Sequence, residues 1–174
     1  MRRVTIHSTH PFLEPEGDRD PVRRLRGRLG GTVSLWTAGA ADERAGLTVS
    51  SWLVAGGEPG RVLALLDPDA DLTDVLLDTG RAVLQLLAWE DRDLADAFAG
   101  TAPAPGGPWR MAQWQDTDHG PRLQQAVTWA TLEVESDVEA GWSRLVTCLL
   151  GEVVVGDDVD PLVHRRGRYL PPVD

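Results

Sequence analysis

"RAGLTVSSWLVAGG", residues 44–57, is the stretch on which the reading of this chain turns. From Leu47 to Val54 it has the β-branched and aromatic content of a buried strand. It nevertheless carries Thr48, Ser50 and Ser51 close together, with Gly46 before them and Gly56 and Gly57 after. A buried hydroxyl destabilises a fold unless it finds a hydrogen-bond partner. These three bond either to the protein's own backbone or to something that is not protein. The residues alone leave both readings open.

Outward from that stretch the pattern is one of short strands. Residues 32–38 (TVSLWTA) read as a strand and 39–46 as a turn. Residues 58–60 (EPG) turn the chain into a short apolar run, 61–67, typical of a buried strand. Asp71 is placed to cap a helix from Leu72 to Thr79 that Gly80 closes. A strand follows over 81–89 and a capped helix over 91–100, ending at glycine. Residues 129–136 alternate, with Ala130, Leu132 and Val134 on one face and Thr131, Glu133 and Glu135 on the other. Residues 143–157 form a long strand in which Gly151 marks a bulge. Near the start, Asp20 caps a helix over 19–29, with Pro21 at its first position and Val22, Leu25 and Leu29 on one stripe. The fold class is mainly β with short helices, and the natural architecture is a small, partly open antiparallel barrel. An N-terminal arm, 1–18, precedes a single domain, 19–174.

Composition narrows the function. The chain has 174 residues, 42% of them hydrophobic and 25% charged, as in an ordinary globular domain. No apolar run approaches the ~20 residues that span a bilayer, and the two arginines near Met1 are not followed by the apolar stretch of a secretory signal. Cys148 is the only cysteine, which fits a reducing cytoplasm. A net charge of −10 argues against nucleic acid and anionic membranes as partners. All 17 basic residues are arginine, so lysine-dependent catalysis is excluded. Arg19, Arg23, Arg24, Arg26 and Arg28 crowd one helix, a solvated face by expectation, while HRRGR (164–168) lies among loop signals and is suited to an anion.

Several chemistries fail on spacing. Asp67, Asp69 and Asp71 mimic the start of a calcium loop, but Leu72 stands where glycine belongs and Asp78 where glutamate does. His7 and His10 with Asp18 or Asp20 lack fixed geometry for a metal, and no Cys/His cluster has zinc spacing. The G-x-S-x-G elbow, the phosphate-binding P-loop and G-x-G-x-x-G are all absent.

Five segments in order carry a resemblance: GLTVSS (46–51), LLDPDADLTDVL (65–76), GRAVLQLL (80–87), LADAFAG (94–100) and PLVHRRGRY (161–169). Together they resemble the flavin reductase-like, FMN-binding split-barrel family. The resemblance implies a six-stranded antiparallel split β-barrel that works as a homodimer. It implies that Thr48, Val49, Ser50 and Ser51 lie along a flavin, with Asp67, Thr73, Gln85, Arg165 and Arg168 as further contacts to FMN or FAD. The helix near Leu72 would offer its N-terminus to phosphate. His164 and Ser143 are the implied catalytic residues, with closure of the barrel through its backbone as the alternative role of His164.

Three departures from the family pattern stand out. Asp67, Asp69 and Asp71 would repel a phosphate, so its charge must be met elsewhere, by Arg165, Arg166 or Arg168. Gln85 stands where the family has asparagine. Residues 141–143 read GWS where reductases carry G-D-H, leaving Trp142 and Ser143 but no imidazole near the nicotinamide. The implied function is an NAD(P)H:flavin oxidoreductase, in some relatives the reductase component feeding a monooxygenase. The alternatives are a flavin carrier without reductase activity, favoured by GWS, and a split barrel holding another cofactor such as haem or deazaflavin.

Overall fold

The computed structural model describes residues 20–157 and 160–172. The expected arm 1–18, with His7, His10 and Asp18, lies outside them, as does Arg19. Along the chain come α1 (Pro21–Arg28), β1 (Gly31–Thr32), β2 (Ser34–Ala38), β3 (Ala45–Val49), β4 (Trp52–Ala55) and β5 (Arg61–Leu66). Next are α2 (Asp71–Thr79), β6 (Arg81–Leu86), α3 (Arg92–Phe98), β7 (Trp114–Gln115) and β8 (Arg122–Leu123). A long hairpin of β9 (Trp129–Ala140) and β10 (Ser143–Val154) leads to β11 (Val163–Arg165) and β12 (Arg168–Leu170). Among the described residues, no helix is long and apolar enough to cross a membrane.

The hydroxyl stretch is two strands, not one. Seven strands pair antiparallel in the order β3-β2-β6-β9-β10-β5-β4, so β3 and β4 stand at opposite edges of the sheet. Only Ser50 and Ser51 separate those edges along the chain. The three steps from Val49 to Trp52 reach at most ~11 Å, far less than the width of a flat seven-stranded sheet, so the sheet has to curl and bring its edges together. Ser51 still continues the β4–β5 ladder, its carbonyl accepting from Leu65 N–H at 2.9 Å, so the chain turns from one edge to the other at Ser50. Counted as one bent strand, β3 and β4 make the barrel six-stranded. The expected burial over 47–54 holds for Val49 but fails in β4, where Leu53 and Val54 are 72% and 61% exposed.

Inside the barrel Trp36, Val49, Val62, Leu66, Leu132 and Val146 pack together, and α2 plugs one end with Leu72 and Leu76. A second cluster (Val33, Leu35, Leu87, Leu94, Phe98, Leu162) lies between the barrel wall and α3. The three-stranded sheet β1-β11-β12 covers the seam. It is locked to the barrel where Val33 N–H donates to Leu162, Leu162 to Leu87, and Leu87 back to Val33.

Local signals hold in part. Asp20 caps α1 by accepting from Val22 N–H at 3.2 Å, but Val22, Leu25 and Leu29 are all exposed. Asp71 is the first residue of α2 and caps nothing; Ala70 precedes the helix. The turn there is held by Asp67, whose Oδ1 accepts from Asp69 N–H, and by Thr73, whose hydroxyl donates to the Asp67 carbonyl. Gly80 ends α2 at φ 69° as expected. The Asp91 carboxylate turns back to Ala88 N–H instead of capping α3. At Gly151 the β9–β10 register shifts between Leu150 and Val153, the expected bulge.

Candidate functional site

The site grows from the bend between β3 and β4. Thr48 faces outward onto α3 and donates to the Ala95 carbonyl at 2.7 Å. Val49 faces the barrel core. Ser50 is exposed, and its hydroxyl has no protein partner among the described residues. The Ser51 hydroxyl accepts from Arg26 Nη2 at 3.1 Å. Of the three hydroxyls in question, one is bonded to backbone, one is held by a cation, and one is open.

Gly31 brings the covering sheet down onto this bend. A Cβ there would come within 2.9 Å of the Ser50 carbonyl, so only glycine allows the approach. Gly31 pairs with His164 in β11, and Thr32 accepts from the Trp52 indole at 2.9 Å. His164 therefore closes the seam through its backbone while its ring stands beside the bend. Tyr169 lies opposite it in β12, rings 5.8 Å apart, and donates to Asp96 Oδ1 at 3.0 Å. Burial holds His164 below the usual imidazole range; the Asp96 carboxylate opposes this and the Arg26 guanidinium adds to it. Burial and the bond to Asp96 both push the Tyr169 phenol up.

Helix α1 carries one basic cluster and is bonded by the other. Arg165 Nε donates to the Arg28 carbonyl at 3.2 Å, and Arg166 N–H to the Gly27 carbonyl at 2.8 Å. One turn back from Arg26, Arg23 stands 6.0 Å from the Trp142 ring. Trp142 is the 82%-exposed tip of the β9–β10 hairpin, where Ala140 pairs with Ser143. Arg144 pairs with Leu66, which puts Ser143 next to Asp67 in register.

The expected residues thus fall into three groups. Ser50, Ser51, His164 and Arg165 gather at the seam, with Arg168 paired to Arg165 across the β11–β12 hairpin. Asp67 and Ser143 adjoin each other at the same end of the barrel. Gln85, Thr73 and Thr48 are engaged by protein. Gln85 is fully buried; its amide donates to the Thr37 hydroxyl and Pro121 carbonyl and accepts from Leu123 N–H at 2.6 Å. Thr73 is 1% exposed. Sequence reasoning missed Arg26, Gly31, Asp96 and Tyr169. Asp96 and Tyr169 lay inside segments that carried the resemblance without a role attached, and the arginine crowding around Arg26 pointed to solvent.

An open hydroxyl, a guanidinium-held hydroxyl and a histidine of lowered basicity, ringed by arginines, make a donor set that suits a polar-edged ring bearing a phosphate. A six-stranded barrel with such a seam defines a flavin-reductase type of split barrel. Residues 26–171 match the flavin reductase like domain model, and the chain belongs to that family. It is 26% identical to the FMN reductase (NADH) RutF of Stutzerimonas stutzeri, over 97% of each chain. It is 30% identical to the reductase component of an FADH(2)-dependent resorcinol hydroxylase of a Rhizobium species, over 90% of this chain and 89% of the relative. Among solved structures, flavin reductase PheA2 in its native state superposes with a TM-score of 0.79 at 19% identity, over 90% of this chain and all of that one.

Proposed function

We propose that this protein is an NAD(P)H:flavin oxidoreductase that binds FMN, or FAD in its place, at the β3–β4 seam. The observation that carries the reading is the exposed Ser50 beside Ser51 and His164, in a chain whose relatives carry FMN reductase and reductase-component names. The flavin, when bound, supplies the acceptor for a hydride from a reduced nicotinamide.

The chain's own part is positioning. Ser50 and Ser51 offer hydroxyls to the polar edge of the ring system, and Val49 closes the barrel beneath them. His164, held largely neutral near pH 7, bonds a ligand edge without adding charge. Arg165 and Arg168 meet the phosphate, and Asp67 and Ser143 face the nicotinamide side. Trp142 adds an exposed ring there. Alignment of two stacked rings needs little acid–base help.

The working unit is a homodimer of the domain 19–174 in a reducing cytoplasm, passing reduced flavin to a monooxygenase, as reductase components do. The test is anaerobic mixing of flavin-loaded protein with excess NADH and then NADPH. Bleaching of the flavin band by either supports the enzyme. Bleaching by dithionite alone leaves the carrier, the reading that GWS at 141–143 favours.

A further inference from the structure

We infer that Arg26, with Arg165 of the β11–β12 hairpin, forms a phosphate cradle that makes helix α1 part of the ligand site. The inference rests on flavin binding at the seam and extends it to a helix that sequence reading assigned to solvent.

The placement is specific. Arg26 reaches from α1 to the Ser51 hydroxyl, and Arg165 reaches back to the Arg28 carbonyl. Both guanidinium groups bond to neutral oxygen. The ion pairs among the described residues join Arg61 to Glu135, His119 to Glu133 and Arg144 to Asp137. None reaches Arg26 or Arg165, although the chain carries 27 acidic residues and a net charge of −10. Asp96, the carboxylate that bears on His164, is bonded to Tyr169 and Thr101. Cations gathered from both ends of an acidic chain repel one another unless an anion joins them. A phosphate ester is the anion whose oxygens match forked guanidinium donors. It comes from one of two sources: the flavin's ribityl phosphate, or the pyrophosphate of the nicotinamide dinucleotide.

FMN and riboflavin share a ring and differ in the phosphate, so their comparison isolates the cradle. The unmodified protein is expected to bind FMN about tenfold or more tighter than riboflavin, an advantage that shrinks as salt rises. Arg26→Gln should weaken FMN about tenfold to a hundredfold, leave riboflavin within about threefold, and be rescued in large part by Arg26→Lys. If Arg26→Gln instead leaves FMN unchanged and raises the KM for NADH and NADPH, the cradle stands with the dinucleotide as its phosphate source. Equal loss of FMN and riboflavin overturns the cradle and makes Arg26 a structural support of Ser51. Arg165→Gln and the salt titration of unmodified protein carry the same test if Arg26→Gln does not fold. A protein that binds neither flavin overturns the seam reading itself, whereas one that binds both equally at every salt concentration, with the KM for NADH and NADPH unmoved by Arg26→Gln, overturns the cradle alone.

Discussion

At the scale of single residues, the hydroxyls of the bend have separable jobs. Thr48 bonds the Ala95 carbonyl, so Thr48→Val should lower stability by about 1 kcal/mol and leave flavin affinity within error. Ser51→Ala with Ser50→Ala should do the reverse, weakening flavin by roughly 1–3 kcal/mol with little change in the unfolding midpoint. Urea denaturation and flavin titration of the two variants check the contrast. Gln85→Ala should be costlier for the fold, by about 2–4 kcal/mol, because it orphans Leu123 N–H and leaves a void in a fully buried site. His164 gives a pH signature. Its pKa is lowered in the folded state, first by burial, so the unfolded chain binds the extra proton more readily. Its contribution to stability is therefore present above the ordinary histidine range of about 6.5 and lost as pH falls through it. An NMR titration of the His164 ring should find its midpoint below that range. Arg26→Gln should raise the midpoint and Asp96→Asn should lower it further; movement the other way would refute the charge assignment.

At the scale of elements, the β9–β10 hairpin decides how the nicotinamide is met. Its tip is two residues long, with Gly141 at φ 62° and Trp142 exposed. Ser143 heads β10 and adjoins Asp67, so a histidine there would stand at the end of the barrel that the seam opens on. Ser143→His is expected to lower the KM for the nicotinamide while kcat changes little, since a positioning contact is added and the ring alignment is kept. Steady-state kinetics with both dinucleotides reads this directly. Helix α3 is set by a different constraint. A Cβ at Gly46 would come within 2.6 Å of the Phe98 ring, so β3 and α3 touch only because residue 46 is glycine. Gly46→Val should destabilise by about 2 kcal/mol or more, visible as a lower unfolding midpoint.

At the scale of the molecule, two apolar surfaces remain uncovered in a single chain. Leu65 and Val138 lie in one row across β5, β10 and β9, Leu53 of β4 sits in the adjoining row opposite Leu63, and all three are exposed, at 41%, 55% and 72%. The stripe of Val22, Leu25 and Leu29 on α1 is bare as well. The seven tryptophans are not a ground for a dimer, since six of them are buried or half-buried within one chain. Neighbouring apolar residues on a sheet face are what a second copy covers in an isologous contact. Leu53→Glu with Leu65→Glu should yield a monomer by light scattering at micromolar concentration. A single-chain mass for the unmodified protein with flavin present would refute the dimer.

What the sequence determined by itself is what depends on neighbours in the chain. Pro21 after Asp20, Gly80 after α2, the bulge at Gly151 and the alternation over 129–136 are governed by φ, capping and pleat, and each is legible within a few residues. The five ordered segments carried the family on the same local footing. What the tertiary structure decided is what depends on closure. Nothing between Leu47 and Val54 announces that Val49 and Leu53 lie on opposite edges of one sheet, because a bend at Ser50 and Ser51 is forced only when the barrel shuts. The partners of Gln85, at Thr37, Pro121 and Leu123, lie 36 to 48 residues away. Arg26 and Arg165 are farther apart still along the chain, and their elements come together because β1 pairs with β11 and Arg165 bonds the end of α1. A charge cluster read along a helix looks solvated until the fold supplies the other half of its site.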